Sequence, residues 1–334
     1  MIASFFRYRH GVLPDVLALS YTLLGYALGV WLLFAGHWGL NLAGVLLTGH
    51  SLVYSAYFVH EFAHQSIYRS PGANHFFGTL MTWINGSCYA PFGTLRRKHM
   101  RHHLDRADIV TFDHKGFLDR SPGWFRGLVL LAEWCYVPAI ELIMHAHVLV
   151  VPFARADSER RRLRVLAVAG VRATLFALMA FYSLKALLLY AIAYMLMLHA
   201  LRFADAYQHT YDAVAVLEEG EVSDGKVRDR EYEQANTYSN LISVAHPWLN
   251  LLLLNFAYHN AHHERPIVPW HDLPKLHSEL FPSGYPQVIP MRTLLRGYHR
   301  DRITRVLAEN YGEVKPGRVD GFIGAVGVSF LTTV

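Results

Sequence analysis

Two long apolar runs near the start of the chain are separated by only a short polar turn. The first run extends from about residue 12 to 35, a Gly-His-Trp-Gly turn follows, and the second run extends from about 40 to 59. A helix needs about 20 consecutive apolar residues to cross the hydrocarbon core of a bilayer. The pattern therefore predicts a transmembrane hairpin whose second helix ends directly before a polar, histidine-containing segment.

A second pair of apolar runs lies in the middle of the chain, from about 165 to 182 and from about 185 to 203. The break between them is as short as the turn in the first pair, so the pattern predicts a second transmembrane hairpin. Arg172 interrupts the first helix of this hairpin. A charged side chain inside a span must reach toward the membrane surface or face protein, so Arg172 is an anomaly in the pattern.

Basic residues flank a further apolar stretch at about 124–152. Residues 96–126 and 155–164 both carry clusters of arginine and lysine. Because positively charged loops stay on the cytoplasmic side, both flanks of the stretch are predicted to be cytoplasmic. A single crossing would put one flank on the wrong side, so we expect an in-plane or re-entrant element here. Residues 60–123 and 204–334 are then predicted to be cytoplasmic as well.

The remaining segments contain no run long enough to cross a bilayer. Residues 248–258 are apolar but short, as is a Gly-rich segment at 321–334, and residues 215–237 are acidic and predict a solvated loop. The pattern as a whole predicts an all-α integral membrane protein that forms a single domain over residues 1–334. Its four transmembrane helices form two hairpins, with in-plane helices beside them.

Composition agrees with this prediction and excludes several classes of protein. The chain is 53% hydrophobic and 17% charged, whereas soluble domains carry about 25% charged residues. No cleavable signal pattern precedes the first run, so we expect a retained span. Cys88 and Cys135 are too few for a disulfide framework, a zinc ribbon or an iron–sulfur cluster. The formal charge of +5 is typical of cytoplasmic loops, and no basic stripe with aromatic residues indicates a nucleic-acid partner.

Histidine is the unusual residue, with 21 in the chain, and three clusters have helical spacing. Residues three or four apart on a helix share one face, so each cluster can direct at least two imidazoles at one point. The first cluster, HEFAH, matches the zinc protease motif in which Glu61 would be the general base. One catalytic zinc needs about three protein ligands, whereas these clusters supply enough for two metals. The cluster histidines are His60 and His64; His99, His102 and His103; and His259, His262 and His263.

Three boxes of this spacing and order, with apolar hairpins between them, resemble the membrane fatty acid desaturase and hydroxylase superfamily. The resemblance covers roughly residues 40–270. It implies two iron ions held by the box histidines in a cytoplasmic, histidine-rich cap, with dioxygen as co-substrate. It also implies a ninth ligand at the cytoplasmic end of the second hairpin. His209 matches that position, and His199 is the second choice because it lies ten residues deeper in an apolar helix.

The resemblance implies an O2-dependent di-iron oxidoreductase that cleaves C–H bonds of a fatty acyl chain, in the first instance a fatty acid desaturase. A 1-alkene-forming decarboxylase of free fatty acids and an alkane or acyl hydroxylase stay open, because all three reactions begin with hydrogen abstraction. An intramembrane zinc metalloprotease would leave six clustered histidines unexplained. A metal-binding membrane protein without catalysis is the remaining alternative.

Partners of the metal ligands are also expected. A ligating histidine usually donates its second N–H to a carboxylate or carbonyl, and Glu61, Asp108, Asp205 and Glu264 are near the boxes. The sequence has no haem motif, cysteine cluster or dinucleotide fingerprint, so electrons would come from a separate ferredoxin, rubredoxin or cytochrome with its reductase. The acidic residues 218–221 are a solvated surface or a docking site for that donor. If the protein is bacterial, it belongs in the inner membrane.

Overall fold

The structure, a computed structural model, describes residues 4–155, 158–214, 225–315, 319 and 321–333. Most of these residues are helical. In chain order the helices are α1 Val12–Leu33, α2 Trp38–His64, α3 Pro71–Asn85, α4 Phe92–Asp105, α5 His114–Arg120, α6 Gly123–Trp134, α7 Ala139–Ala154, α8 Glu159–Tyr182, α9 Leu184–Asp205, α10 Arg230–Ala235, α11 His259–Glu264, α12 Leu273–Leu280, α13 Met291–Arg300 and α14 Thr304–Leu307. Two 3₁₀ helices, Ser87–Tyr89 and Pro247–Leu253, and two short strands, β1 Asp108–Ile109 and β2 Ala213–Val214, complete the described elements.

The chain divides into two compact units. The first unit comprises residues 1–95 and 146–200, and the second comprises residues 96–145 and 201–333. Helices α1, α2, α8 and α9 are long and apolar enough to cross a membrane. Three of the four predicted spans fall within one of them, and the first, about 12–35, extends two residues beyond the end of α1. The predicted single domain over 1–334 and the predicted sides of the membrane stay predictions.

Glycine allows α1 and α2 to pack closely in the first unit. A Cβ atom on Gly29 would lie 2.7 Å from the backbone nitrogen of Thr48, and one on Gly44 would lie 2.9 Å from the Gly29 carbonyl oxygen. Such close backbone approach is the usual role of small residues between membrane helices. Helix α2 continues beyond the predicted end near residue 59 and stops only where Gln65 adopts a left-handed conformation. The first histidine box is therefore the last turn of a long apolar helix.

Polar side chains satisfy the backbone at the turn between α1 and α2. The Asn41 side-chain amide donates to the carbonyl oxygens of Leu32, Leu33 and Ala35, at 3.0 to 3.1 Å. The Lys185 ammonium donates to the Ala35 carbonyl at 2.6 Å and to the Asn41 amide oxygen at 2.9 Å. The last carbonyls of a helix have no partner within the helix, so these bonds stabilise the turn of the first hairpin.

Helix α8 begins six residues before the predicted span, because its basic first turns have fixed partners. The Arg164 guanidinium donates to the Cys88 carbonyl at 2.8 Å and to the Tyr89 carbonyl at 3.2 Å. The Arg162 guanidinium donates to the Pro152 and Arg155 carbonyls. The basic cluster thus extends a helix that hydropathy alone would start later.

The apolar stretch at 124–152 contains two helices, α6 and α7, and neither is long enough to cross a bilayer. Its two glutamates are ion-paired within the second unit. The Arg202 guanidinium lies 2.7 Å from a Glu133 carboxylate oxygen and 3.2 Å from a Glu141 oxygen. The second Glu133 oxygen accepts from the Ile140 amide at 3.0 Å. A buried charge needs such partners, and the predicted in-plane position of this element stays a prediction.

Short backbone ladders position the polar segments of the second unit. The strands β1 and β2 pair in parallel, which places residue 108 beside residue 213. A single bridge joins His209 to Thr237. The Gly-rich segment folds back along the same unit, where the Ala325 amide donates to the Ala206 carbonyl at 2.7 Å. Gly324 has φ +81°, and a Cβ there would lie 2.7 Å from the Ala206 oxygen, so glycine is required.

The predicted acidic loop at 215–237 is wrong in its last part. Residues 230–235 form helix α10, because the Asp229 carboxylate accepts the Tyr232 amide at 2.8 Å as an N-cap. The acidic residues 218–221 lie outside the described residues.

Candidate metal centre

The first histidine box lies on the last turn of α2, where the rings of His60 and His64 meet edge to face with centroids 4.7 Å apart. His60 is buried, and its Nδ1 lies 3.3 Å from a carboxylate oxygen of Glu61. The other Glu61 oxygen accepts from the Ser66 hydroxyl at 2.6 Å. A carboxylate held in this way can orient an imidazole. The role of Glu61 beside a metal ligand stays a prediction.

The second and third boxes lie on two helices of different length. The second box occupies the last two turns of α4, and the third box begins α11 at its first residue, His259. A turn with left-handed residues at Leu254 and Asn255 precedes α11. The Asn255 side-chain amide donates to the Trp270 carbonyl at 3.1 Å, which anchors this turn. The apolar run at 248–258 thus forms the support of the third box.

One group of imidazoles, called here the four-histidine group, consists of His102, His209, His259 and His263. One nitrogen of each lies within 4.8 Å of the others. The Nε2 atoms of His102 and His209 are 3.1 Å apart, and those of His209 and His259 are 2.7 Å apart. With metal–nitrogen bonds of about 2.0–2.1 Å, neighbouring ligand atoms on one ion lie about 3.0–3.4 Å apart. The nitrogen spacing is therefore close to that of a coordination shell.

Hydrogen bonds determine which nitrogens of this group face the centre. His263 Nδ1 lies 3.0 Å from a Glu233 carboxylate oxygen, and the other Glu233 oxygen accepts from Arg106 Nε at 3.0 Å. His263 Nε2 is buried and has no hydrogen-bond partner within the described part of the chain. His102 Nδ1 donates to the Ala107 carbonyl at 3.0 Å. In both residues Nδ1 carries the proton, which leaves the lone pair of Nε2 for a metal ion.

A second group, called here the three-histidine group, consists of His99, His103 and His262. The Nε2 atom of His103 lies 3.2 Å from that of His99 and 3.2 Å from that of His262. These distances also match the edges of a coordination polyhedron around one ion. His102 and His103 are neighbours in sequence, yet they belong to different groups.

Burial favours the neutral form of four of these histidines. It lowers the pKa of His102 to about 4 and that of His262 to about 3. The pKa values of His209 and His263 are also well below the ordinary value, first through burial and then through the neighbouring imidazoles. A neutral imidazole is the form that binds a metal ion, so these four residues need no deprotonation at neutral pH.

The predicted partner carboxylates have different surroundings. An Asp108 oxygen lies 3.5 Å from His102 Nδ1; burial raises the Asp108 pKa to about 7, and a hydrogen bond from the Tyr311 hydroxyl opposes this. Asp205 lines a cavity beside the histidines, and its Oδ1 has no hydrogen-bond partner among the residues the structure describes. Glu264 pairs with Arg230. The roles of these residues stay predictions.

Sequence reasoning missed Glu233, which holds His263. No box spacing points to it, and the segment around it was predicted to be a loop. The only available signal was Asp229, a good N-cap residue that could have indicated the helix. Glu233 and His263 are 30 residues apart, so their contact depends on tertiary packing.

Sequence reasoning also missed the segment at 328–333. A cavity of about 50 Å³ lies between His99, His102 and His209 and is closed in part by Phe256 and Phe330. The volume admits a few water-sized molecules. The adjacent Lys98 ammonium is buried and donates to the carbonyl oxygens of residues 329 and 332, both at 2.7 Å. These bonds anchor the segment that carries Phe330.

Comparison with known proteins gives one family match. The sequence model of the fatty acid desaturase family matches residues 35–295, more than three quarters of the chain. A search of curated proteins finds no match. The matched range contains all three boxes, and the four long apolar helices agree with a membrane-bound family. The chain belongs to the fatty acid desaturase family, whose members are membrane-bound oxidoreductases that act on fatty acyl lipids.

Proposed function

We propose that the protein is an O2-dependent di-iron enzyme that introduces a double bond into a fatty acyl chain. The observation that carries the proposal is the pair of histidine groups, with neutral imidazoles at coordination spacing, in a chain of the desaturase family. An all-imidazole shell suits iron, zinc or copper, and the redox chemistry of the family favours iron.

In this proposal each histidine group holds one ion. The four-histidine group supplies His102, His209, His259 and His263, and the three-histidine group supplies His99, His103 and His262. We propose His60 and His64 as further metal ligands, because they form the first box of the family pattern. The bound iron ions would supply the activation of dioxygen and the abstraction of hydrogen from the acyl chain.

The residues of the chain position the ligands and exclude water. Glu233 and the Ala107 carbonyl hold two imidazoles in the tautomer that ligates. Phe256 and Phe330 line the cavity beside the groups, so they would present apolar surface to a reacting methylene. A dry cavity and fixed ligand geometry are the contributions that the protein makes to such chemistry.

Electrons come from another protein in this proposal, namely a ferredoxin, a rubredoxin or a cytochrome with its reductase. The donor would approach from the cytoplasm, where we place the histidine boxes because the basic loops around them favour that side. In a bacterium the enzyme would lie in the inner membrane. The substrate would be a free fatty acid or an acyl lipid.

Metal analysis and product analysis together test the proposal. The purified protein is reconstituted with a ferredoxin, its reductase and NADPH, and is supplied with fatty acids and acyl thioesters of several lengths. We expect about two iron ions per chain and an internal alkene by gas chromatography. One zinc ion without iron would overturn the metal assignment and would favour the alternative that HEFAH is the zinc site of a metalloprotease. A terminal alkene one carbon shorter would replace desaturation with decarboxylation, and an alcohol would replace it with hydroxylation.

A further inference from the structure

Arg172 lies far from both ends of the apolar helix α8. It is separated by 13 residues from Glu159 and by 10 from Tyr182. At a rise of 1.5 Å per residue, these separations are about 20 and 15 Å. Burying a charged side chain at such depth costs several kcal/mol unless a partner compensates it, so an intramembrane arginine commonly marks a site.

The first unit offers Arg172 only neutral partners. Its Nη1 donates to the Trp83 carbonyl at 3.0 Å, and the guanidinium lies 5.2 Å from the centre of the Phe176 ring. Within the described ranges of the chain, no carboxylate forms an ion pair with Arg172. The positive charge is therefore solvated by a carbonyl, an aromatic ring and the thiol of Cys88, but it is not neutralised.

A large apolar cavity adjoins this charge. Its volume is about 370 Å³, and Arg172 is the charged residue among its lining side chains. The hydroxyl groups of Tyr26 and Tyr190, which also line it, are 3.1 Å apart. Leu175 and Tyr182 at its edge are 58% and 76% exposed, so the cavity opens on the apolar outer surface of the unit. A cavity of this size with a few polar groups is typical of a ligand site.

We propose that this cavity binds a free long-chain fatty acid, with its carboxylate against Arg172 and its tail in the apolar groove. The guanidinium provides planar donors that match a carboxylate. The tyrosine pair provides one further O–H donor, because the other hydroxyl donates within the pair. A carboxylic acid can enter an apolar groove in its neutral form and bind the guanidinium as the carboxylate, its proton returning to the water at the membrane surface. A lipid phosphate stays charged and would have to leave the membrane surface by roughly 10 Å, the depth of Arg172 below the start of the apolar run.

Trp83 provides a local readout for the proposal. Its fluorescence, taken as the difference between the unaltered protein and Trp83→Phe, is measured in nanodiscs during titration with 5-doxylstearic acid, whose nitroxide quenches tryptophan. We expect saturable quenching by the acid at a concentration at least tenfold lower than for its methyl ester. The comparison of acid with ester uses full-length protein and depends on neither metal nor activity, so it is independent of the proposed desaturation.

Variants of Arg172 test whether the preference for the acid over the ester depends on the guanidinium group. Arg172→Leu should remove the preference for the acid over the ester, and Arg172→Lys should keep part of it, because a lysine retains the charge without the planar donor pair. Arg160→Leu, which removes an exposed arginine from the first turn of α8, should leave the preference unchanged. Equal quenching by acid and ester in the unaltered protein would overturn the proposal. So would displacement of the probe by phosphatidic acid at a lower concentration than by stearic acid, which would identify a lipid phosphate as the occupant.

Discussion

The two histidine groups of the second unit are held by different kinds of contact. In the four-histidine group, His263 is hydrogen-bonded to Glu233, and His209 Nδ1 lies 3.4 Å from the Thr237 hydroxyl. In the three-histidine group, the rings face aromatic side chains: His99 lies 5.8 Å from Phe330 and His262 lies 6.4 Å from Phe256. Aromatic rings border the four-histidine group as well, since His259 lies 5.2 Å from Phe256. What sets this group apart is the carboxylate of Glu233 behind His263.

This difference indicates a division of labour between the groups. A carboxylate behind an imidazole fixes its tautomer and raises its basicity, which strengthens a metal bond. Aromatic rings beside an imidazole exclude water and lower the local dielectric constant, which makes nearby charge interactions stronger. We therefore expect substitutions behind the four-histidine group to change metal affinity in that group alone.

The largest expected effect comes from single variants that each remove one proposed ligand, one variant for each histidine group. In His102→Ala and in His262→Ala, turnover should fall below detection, because the proposed reaction needs both metal ions. Bound iron should fall from about two to about one per chain in either variant. Iron content by mass spectrometry and alkene yield by gas chromatography measure both effects. His246→Ala, which removes an exposed histidine, is the control, and wild-type activity in either test variant would remove that residue from the proposed ligands.

Variants of His209, the ninth proposed ligand, test which ion this residue serves. His209→Ala should lower iron content as His102→Ala does, and the double variant should lose little more than either single variant, because both residues serve the same ion. His199→Ala should keep both ions. If His199→Ala lost iron while His209→Ala kept it, the assignment of the ninth ligand would have to be reversed.

A smaller effect is expected from replacing Glu233, whose carboxylate is hydrogen-bonded to His263. Glu233→Gln keeps the shape of the side chain but removes its charge, and loss of such a partner typically costs about 10- to 100-fold in metal affinity or activity. Competition with a chelator measures the affinity of the two ions separately. Glu231→Gln on the exposed side of the same helix is the matched control. Equal weakening by both substitutions would mean that the bond to His263 has no special role.

The smallest expected effect is the pH dependence of the metal-free protein. The pKa of His102 is about 4 and that of His262 about 3 in the folded chain, against about 6.5 when unfolded. The unfolded state therefore binds more protons between these values, so stability is lost as pH falls from about 6.5 toward 4. Each such histidine contributes a slope of about 1.4 kcal/mol per pH unit.

Single histidine variants separate the contribution of each histidine to the pH dependence of stability from the opposing contribution of Asp108. The raised pKa of Asp108 acts in the other direction between about 4 and 7, because the folded state then binds the extra proton. His102→Asn and His262→Asn should each make the dependence of the unfolding temperature on pH shallower than in the unaltered metal-free protein. An unchanged slope in both variants would show that these imidazoles are already solvated.

Much of this architecture could be predicted because its signals are local. Runs of about 20 apolar residues predict helices, and box spacings of three and four residues predict shared faces. The composition of the acidic segment predicted a loop at α10, and this was wrong because the N-cap residue Asp229 starts a helix there. Local signals also could not reveal the contact between Lys98 and the carbonyl of residue 329, because residues 231 positions apart have no common periodicity.

The sequence by itself determined the family, the four apolar helices, the box histidines and the anomaly at Arg172. Only the tertiary structure decided how the histidines of the second unit are divided. Successive side chains on a helix point about 100° apart, so His102 and His103 had to face different centres. Which imidazoles join each of them depends on the turn before α11 and on the β1–β2 pairing, which bring distant segments together. The tertiary structure likewise surrounded Arg172 with neutral partners and an open apolar cavity, because burial and ion pairing depend on packing that no sequence spacing records.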